Sequence, residues 1–412
     1  MLIDRLKSYF RATRKLSSLV DQVLVSGGNF LTIAICAHAL SLAEQGKFTY
    51  IFASYIALLL LNVAGIFQGA AVRAPTQDQV TYKTTLARLQ LLQAVSLSML
   101  VSGIWLGAGD LFGWQATYQE ALLLCTFLLL QQLADFDRRT AYIFSGTKRA
   151  ILSSAVLYPM RIIGLVVLQP DTISQVLMIL LFTAFIPAVA TVFTACRNTT
   201  QNTRTWVNAI REHLTYSRLF IAGIPLVWLW AYIPVFMLGI MYGKEQVALL
   251  GSIRGISNMA NVLMEQIETK VAADWGRMHH GNGAPVLEAA VSRILKIGMV
   301  FWLVSLAVIL LYGREIVYLL LGSLYAPHWD LLVIGWVGYG VYFFARISGI
   351  KHRTLGANQI EFIGNLSAVA ASVAAGFALI PALGATGAAG VYIVIALAVL
   401  GSQAYFIKRL KR

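Results

Sequence analysis

Apolar runs about 20 residues long recur along the whole chain, and short polar breaks separate them. A helix of about 20 apolar residues crosses the bilayer core, which is about 30 Å thick, so these runs predict membrane-spanning helices. Charged residues make up only 12% of the chain, whereas a soluble domain carries about 25%. The sequence therefore predicts an all-α, polytopic membrane protein rather than a set of soluble domains.

We predict about twelve membrane-spanning helices in two six-helix lobes. The first six cover residues 20–41, 48–72, 86–108, 118–142, 149–168 and 172–196. The last six cover residues 217–239, 243–272, 293–320, 327–350, 359–380 and 384–407. The predicted domains are an N-terminal segment (1–19), an N-lobe (20–196), a linker (197–216), a C-lobe (217–407) and a tail (408–412).

The distribution of lysine and arginine predicts the orientation of these helices. Of the 32 such residues, 27 lie at alternate breaks or at the two termini, and only Lys47, Lys244 and Arg314 lie at the other breaks. Cytoplasmic loops are enriched in lysine and arginine, so both termini are predicted to be cytoplasmic, with the six-helix halves sharing one orientation. This pattern also excludes a nucleic-acid-binding reading of the net charge of +14.

The chain carries no recognisable catalytic or metal-binding motif. It has no glycine-rich phosphate loop with a lysine, no paired His and Glu at metal-ligand spacing, and no nucleophile elbow. We therefore predict a protein that is not an enzyme, with no catalytic residues, no metal and no cofactor.

The most informative segment is the predicted eighth helix. Arg254, Asn258, Asn261, Glu265 and Glu268 are spaced by 4, 3, 4 and 3 residues, which places all five on one helical face. A polar stripe on a membrane helix faces water or a polar partner. It therefore lines a cavity, or it seals two helices together, and the sequence leaves both readings open.

Charged residues near the bilayer centre are costly and usually functional. Arg254 lies near the middle of the eighth predicted helix, and Arg161 near the middle of the fifth. On the first helix, Gln22 and Asn29 share a face, and all these residues join Asn258 and Asn261 as candidate substrate-binding residues.

Three acidic residues are candidates for ion or proton coupling, namely Asp135, Glu265 and Glu268. Residues near the ends of membrane helices also reach the solvent by snorkelling, which is the alternative role for all three.

Several stretches resemble the polysaccharide-flippase branch of the multidrug/oligosaccharidyl-lipid/polysaccharide exporter (MOP) superfamily, the Wzx-type O-antigen flippases. NFLTIAICAHALSLAEQGKFTYIFA (29–53) is similar to the first helix pair of that family. LLGSLYAPHWDLLVIGWVGY (320–339) resembles its ninth-to-tenth connection. TLGANQIEFIGN (354–365) and IPALGATGAAGVYIVIALAVL (380–400) resemble its last helix pair, with a Pro-x-x-Gly-Ala-x-Gly-Ala-Ala turn.

The resemblance implies a MATE/MOP-like fold of two lobes and a flippase for undecaprenyl-diphosphate-linked oligosaccharide repeat units. It implies alternating access in the bacterial inner membrane, in the synthesis of O-antigen, capsule or exopolysaccharide. The implied partners are the lipid-linked substrate, membrane lipid, a polysaccharide polymerase and a chain-length regulator, with no nucleic acid. Two alternatives stay open, a multidrug/ion antiporter of the same superfamily and a membrane glycosyltransferase, polymerase or ligase. A flippase of lipid-linked peptidoglycan precursors, from the same superfamily, resembles the chain less, because such flippases commonly have fourteen helices.

Overall fold

The computed structural model describes residues 2–112, 114–197, 203–282, 284–355, 357 and 359–410. Every regular element within these ranges is helical, so the predicted all-α fold is confirmed. The chain divides into two compact units, residues 1–225 and residues 226–412, which are described separately.

Unit 1 contains seven helices and the first part of an eighth. They are α1 (Leu2–Ala39), α2 (Leu42–Asn62), α3 (Gln68–Arg73), α4 (Gln79–Gly107), α5 (Tyr118–Thr140), α6 (Thr147–Leu168), α7 (Ile173–Cys196) and α8 (Thr203–Tyr242). Two π-helical turns, Val63–Phe67 and Ala141–Ser145, follow α2 and α5. Short 3₁₀ turns lie at Ala74–Thr76 and Asp110–Phe112.

Unit 2 contains the rest of α8 and five further helices. They are α9 (Lys244–Ser257), α10 (Met259–Asn282), α11 (Ala284–Leu321), α12 (Asp330–Thr354) and α13 (Gln359–Leu410). A 3₁₀ turn at Ala326–His328 precedes α12. The two last predicted helices form the single long element α13, which is broken at Gly384, where φ is +57°. A positive φ favours glycine, which explains this residue in the Pro-x-x-Gly turn.

Nine helical segments of the described residues are long and apolar enough to cross a membrane. They establish a multi-pass membrane protein. Two predicted spans, 118–142 and 243–272, are helical but are not among the nine, and the last two predicted spans count as one segment. The first difference has a local reason: α5 and α10 carry charged side chains, which lower the hydropathy of each helix, and α9 is only 14 residues long.

Part of the predicted linker, 197–216, is helical. Residues 203–216 are the first turns of α8, which continues without interruption into the seventh predicted span. Residues 198–202 of the linker and residues 411–412 of the tail lie outside the described residues. The backbone of residues 2–19 belongs to α1, whereas the side chains of the N-terminal segment are not described.

A glycine allows α1 to approach α6 closely. An added Cβ at Gly28 would lie 2.7 Å from Tyr158 Cγ and 2.8 Å from Tyr158 Cβ, whereas an added Cβ at the adjacent Gly27 would meet no atom within 4 Å. The helix contact therefore requires a glycine at position 28, whereas position 27 has room for a side chain.

We expect Gly28→Ala to destabilise the protein by about 1–3 kcal/mol, the typical cost of overpacking a filled core. Gly27→Ala is the matched control, and it should be neutral or stabilising because alanine is the better helix former by about 1 kcal/mol. Thermal unfolding of the detergent-solubilised variants measures both effects. Equal melting temperatures for the two variants would contradict the close α1–α6 packing.

Within unit 1, the first part of α8 packs against the other helices through His213, whose side chain is buried. Its Nε2 lies 2.9 Å from the carbonyl oxygen of Gly65, which belongs to the π-helical turn Val63–Phe67. Its Nδ1 lies 2.8 Å from the hydroxyl of Tyr82. A neutral imidazole that donates from Nε2 and accepts at Nδ1 satisfies both groups. Beside it, Arg73 forms an ion pair with Glu212 at 2.7 Å.

The protein should lose stability as the pH falls below 6.5. Burial lowers the pKa of His213 below its ordinary value of 6.5; the hydrogen bond to Gly65 raises this pKa less than burial lowers it, and the nearby Arg73 lowers it further. The unfolded chain therefore binds the proton first on acidification. The stabilisation is fully present above pH 6.5 and is lost as the pH falls through the pKa of the folded state.

Melting temperatures of the wild type and of His213→Gln between pH 8 and pH 5 test this expectation. The glutamine side chain can donate and accept hydrogen bonds but does not titrate in this range. The wild type should lose more stability on acidification than the variant. Identical pH profiles would show that His213 does not contribute to the pH dependence.

Candidate functional site

The polar core of unit 1 is built around Asp21, which is 2% exposed. Its carboxylate accepts hydrogen bonds from Arg138 at 2.9 Å, from Tyr142 at 2.6 Å and from Ser154. These partners lie on α5, on the π-helical turn after α5 and on α6, so one carboxylate joins α1 to three elements. The arrangement satisfies a buried charge with an opposite charge and two hydroxyl groups, as burial requires.

Arg161 lies in the same unit and is 3% exposed. Its guanidinium donates a hydrogen bond to Gln131 Oε1 at 2.6 Å and lies 5.4 Å from the centre of the Tyr158 ring, while its Nε is buried without a partner. It lines a small cavity together with Thr32, Phe48, Ile51, Phe52, Tyr55, Phe127 and Leu180. The free space admits roughly one water molecule, so in this conformation the cavity beside Arg161 is too small for a larger group.

The other predicted residues of unit 1 have separate surroundings. Gln22 donates to Ser26 of the same helix at 3.3 Å, and Asn29 is partly buried on α1. Asp135 accepts from the Tyr55 hydroxyl at 2.8 Å and lies 3.9 Å from Arg138 Nε. Asp135 is therefore tied to the polar core, whereas Gln22 and Asn29 are not joined to Arg161 by any described hydrogen bond.

A chain of uncharged side chains, which sequence reasoning missed, crosses unit 1. Gln93 donates to Asn62 at 2.9 Å, Asn62 donates to Gln132 at 3.4 Å, and Gln132 donates to Ser98 at 3.1 Å. The available signal was the amide side chains inside apolar runs, since a buried amide requires hydrogen-bonding partners. These contacts join α2, α4 and α5 without any ion pair.

In unit 2 the predicted polar stripe does not lie on one continuous helix. The helix is interrupted at Asn258, between α9 and α10, and the Asn261 amide bonds to the Asn258 carbonyl at 3.0 Å, three residues back instead of four. The interruption divides the stripe at Asn258, with Arg254 on α9 and the two acidic residues on α10.

Arg254 is partly buried and is held by uncharged groups. Its Nη1 donates to the Ala231 carbonyl of α8 at 2.8 Å. Its guanidinium carbon lies 5.1 Å from the centre of the Tyr232 ring and 4.5 Å from that of the Tyr392 ring. Among the described residues no carboxylate pairs with Arg254. The positive charge is therefore stabilised by π faces and a carbonyl, without a described carboxylate to neutralise it.

The part of the stripe that lies on α10 faces α12. Arg346 donates to Asn261 Oδ1 at 2.9 Å and forms an ion pair with Glu268 at 2.7 Å, and Arg353 also pairs with Glu268. Glu265 accepts from Asn261 at 3.1 Å. These contacts support the sealing role for Asn261 and Glu268, one of the two readings that the sequence left open.

Asn258 lies between the two parts of the stripe and is exposed. Its Oδ1 accepts a hydrogen bond from the Tyr339 hydroxyl at 3.1 Å. Tyr232 and Tyr392, which complete the surroundings of Arg254, were not predicted from the sequence. The candidate site of unit 2 is therefore Arg254 with Tyr232, Tyr392, Asn258 and Tyr339.

No protein-family model matches the chain, and no curated protein sequence matches it. Among solved structures, the lipid II flippase MurJ in an inward closed conformation matches with a TM-score of 0.75 at 11% identity, over 96% of this chain and 87% of MurJ. An inward-facing multidrug resistance transporter of the MATE family matches with a TM-score of 0.66 at 16% identity, over 97% of this chain and 94% of that one.

A MOP superfamily transporter from Pyrococcus furiosus also matches, with a TM-score of 0.60 at 15% identity, over 97% of this chain and 92% of that one. At these identities the likeness establishes the fold. The chain is a membrane protein with the fold of the MATE transporters and of the MurJ flippase. The predicted MATE/MOP-like fold is thereby confirmed.

Proposed function

We propose that this protein is a flippase that moves a lipid-linked oligosaccharide with an anionic diphosphate group between the leaflets of the inner membrane by alternating access. The observation that carries the proposal is the environment of Arg254. The guanidinium of Arg254 is partly buried and has no carboxylate partner among the described residues. Arginine binds phosphate oxygens through two parallel hydrogen bonds, which suits a diphosphate.

The substrate class is supported by the fold and by the sequence. MurJ, one of the matching structures, is named as a lipid II flippase. The stretches at residues 29–53, 320–339 and 354–400 resemble flippases of undecaprenyl-diphosphate-linked oligosaccharides. We therefore propose a repeat unit of O-antigen, capsule or exopolysaccharide as the cargo, and a polymerase and a chain-length regulator as partners.

A multidrug antiporter of the same fold is the second candidate, because MATE transporters also match. A transporter of cationic drugs needs carboxylates that are free to face its substrate. In unit 1, however, the Asp21 and Asp135 carboxylates are bonded to arginine, tyrosine and serine side chains. In unit 2, Glu268 is paired with Arg346 and Arg353. These contacts favour an anionic substrate over a cationic one.

A membrane glycosyltransferase or polymerase is the third candidate. Such an enzyme would need catalytic side chains exposed near the membrane surface, and the sequence provides no recognisable set of them. The predicted coupling residues Asp135, Glu265 and Glu268 stay candidates for energy coupling within the flippase proposal. For Glu268 the two ion pairs favour a structural role.

The sidedness of the lipid-linked oligosaccharide in cells tests the proposal. Cells that lack this protein are labelled with a membrane-impermeant reagent that reacts with sugars of the outer leaflet. Accumulation of the intermediate in the inner leaflet, relieved by the wild-type protein, supports the flippase. If the lipid-linked oligosaccharide reaches the outer leaflet equally well in cells that lack the protein, the flippase proposal is overturned and the drug-export alternative is favoured.

A further inference from the structure

Arg254 bonds to helix α8 beside a carbonyl that a proline leaves without its helical donor. Pro234 lies within α8 and has no backbone N–H, so the carbonyl of Trp230, four residues earlier, lacks its usual helical donor. The hydroxyl of Ser372 on α13 lies 3.4 Å from this carbonyl oxygen and donates to it. Pro234 therefore leaves the Trp230 carbonyl of α8 to a side chain of a neighbouring helix.

The next carbonyl along α8, that of Ala231, is bound by two side chains. Arg254 Nη1 donates to it at 2.8 Å, and the Tyr392 hydroxyl donates to it at 2.9 Å. Because both donors share one acceptor, the Tyr392 ring is brought to 4.5 Å from the guanidinium carbon. Tyr232, the residue after Ala231, provides the second ring at 5.1 Å.

These groups hold a planar cation in one place. The Ala231 carbonyl fixes one N–H group, and the two rings stabilise the charge without neutralising it. A guanidinium has five N–H groups, so several remain for a ligand. A compact ammonium group interacts with such an environment as a point charge and cannot make the same paired hydrogen bonds to an oxyanion.

We propose that Tyr392 and Tyr232 are positioning residues for Arg254, which they hold, together with the Ala231 carbonyl, in the orientation that binds the diphosphate. This inference rests on the proposed function, because it assigns a role within the same site. The cradle formed by Tyr392, Tyr232 and Ala231 acts through Arg254, so its effect disappears when Arg254 is absent.

The experiment is a double-mutant cycle on ligand binding by the full-length protein in detergent micelles. The probe is farnesyl diphosphate, a water-soluble polyprenyl diphosphate, titrated by calorimetry. The variants are Arg254→Ala, Tyr392→Leu and the double variant, with Tyr392→Phe as the conservative replacement. Thermal unfolding of each variant confirms that the folded protein is being compared.

Tyr392→Leu should weaken binding about tenfold, the size expected for a partly desolvated cation–π contact. Tyr392→Phe keeps the ring and loses only the hydrogen bond to Ala231, so it should stay within about threefold of the wild type. In the Arg254→Ala background, Tyr392→Leu should cause no further loss, because the cradle then has nothing to position.

The outcomes separate the inference from the proposed function. A wild-type protein that does not bind farnesyl diphosphate contradicts the proposed function, and the positioning role falls with it. If Arg254→Ala binds more weakly than the wild type, but Tyr392→Leu binds like the wild type, the proposed function stands and the positioning role is overturned. Independent, additive losses in the double variant also overturn it.

Discussion

Replacing Asp21 with alanine is expected to remove most of the folded protein. Arg138, which is 8% exposed, would lose its ion pair at 2.9 Å, and Tyr142 and Ser154 would lose their shared acceptor. Breaking a buried ion pair by removing one partner costs about 3–5 kcal/mol, because the remaining charge stays buried. A folded domain is stable by only about 5–15 kcal/mol. The loss is therefore a large part of the total.

The yield of monodisperse protein and its melting temperature in detergent measure this effect. Glu212→Ala is the matched control, since Glu212 pairs with Arg73 at 2.7 Å but its side chain is 69% exposed. Surface ion pairs contribute about 0–1 kcal/mol, so this control should change little.

A second variant separates the buried charge from the lost contacts. In Asp21→Ala with Arg138→Leu the cation that lost its closer partner is gone, but Asp135 then loses its contact with Arg138 at 3.9 Å, so only part of the stability should return. If Asp21→Ala is as stable as Glu212→Ala, the polar core does not hold α1 against α5 and α6.

The apolar runs predicted the helices well because hydropathy is a property of the local sequence. At α5 and at α9–α10 the predicted spans are helical but are not among the nine apolar segments, because α5 and α10 carry charged side chains and α9 is only 14 residues long. Hydropathy treats Asp135 or Glu268 as a cost, whereas the structure satisfies each with partners far away in the sequence, Tyr55 and Arg346. No window of about 20 residues contains that information.

The candidate site was predicted in part. Helical spacing places Arg254 and Asn258 near each other, but it does not indicate which neighbouring helix supplies their partners. Tyr392 lies on α13, far along the chain from Arg254, and only the tertiary fold brings the two together. Pro234 is a local signal for a free backbone carbonyl one residue before Ala231, that of Trp230, but it indicates neither Arg254 nor Tyr392 as a partner.

Replacing Arg254 with alanine is the other change for which we expect a large effect, in this case on transport rather than on stability. Its contacts with Ala231 and the tyrosine rings involve no ion pair among the described residues. Removing it therefore leaves no buried opposite charge unpaired, and the variant should reach the membrane at a normal level. A hydrogen bond to a charged group contributes about 1.5–3 kcal/mol, so the loss of a paired contact should reduce export at least about tenfold.

Leaflet-resolved labelling of the lipid-linked oligosaccharide measures the effect in cells that carry Arg254→Ala, Arg254→Lys or a control. Arg314→Ala is a suitable control, because Arg314 is an exposed arginine of the same unit. It should export like the wild type. Arg254→Lys should restore little, since lysine keeps the charge but cannot form two parallel hydrogen bonds.

The three variants also distinguish charge from geometry at this position. Full export by Arg254→Lys would show that only a positive charge is required, and the paired recognition of phosphate oxygens would then be wrong. Wild-type export by Arg254→Ala, at a normal level of folded protein, would remove Arg254 from the mechanism altogether. The remaining cation of the candidate residues, Arg161, has its guanidinium beside Gln131 and Tyr158 in a cavity of about one water molecule. A diphosphate would then require a conformation in which that cavity is wider.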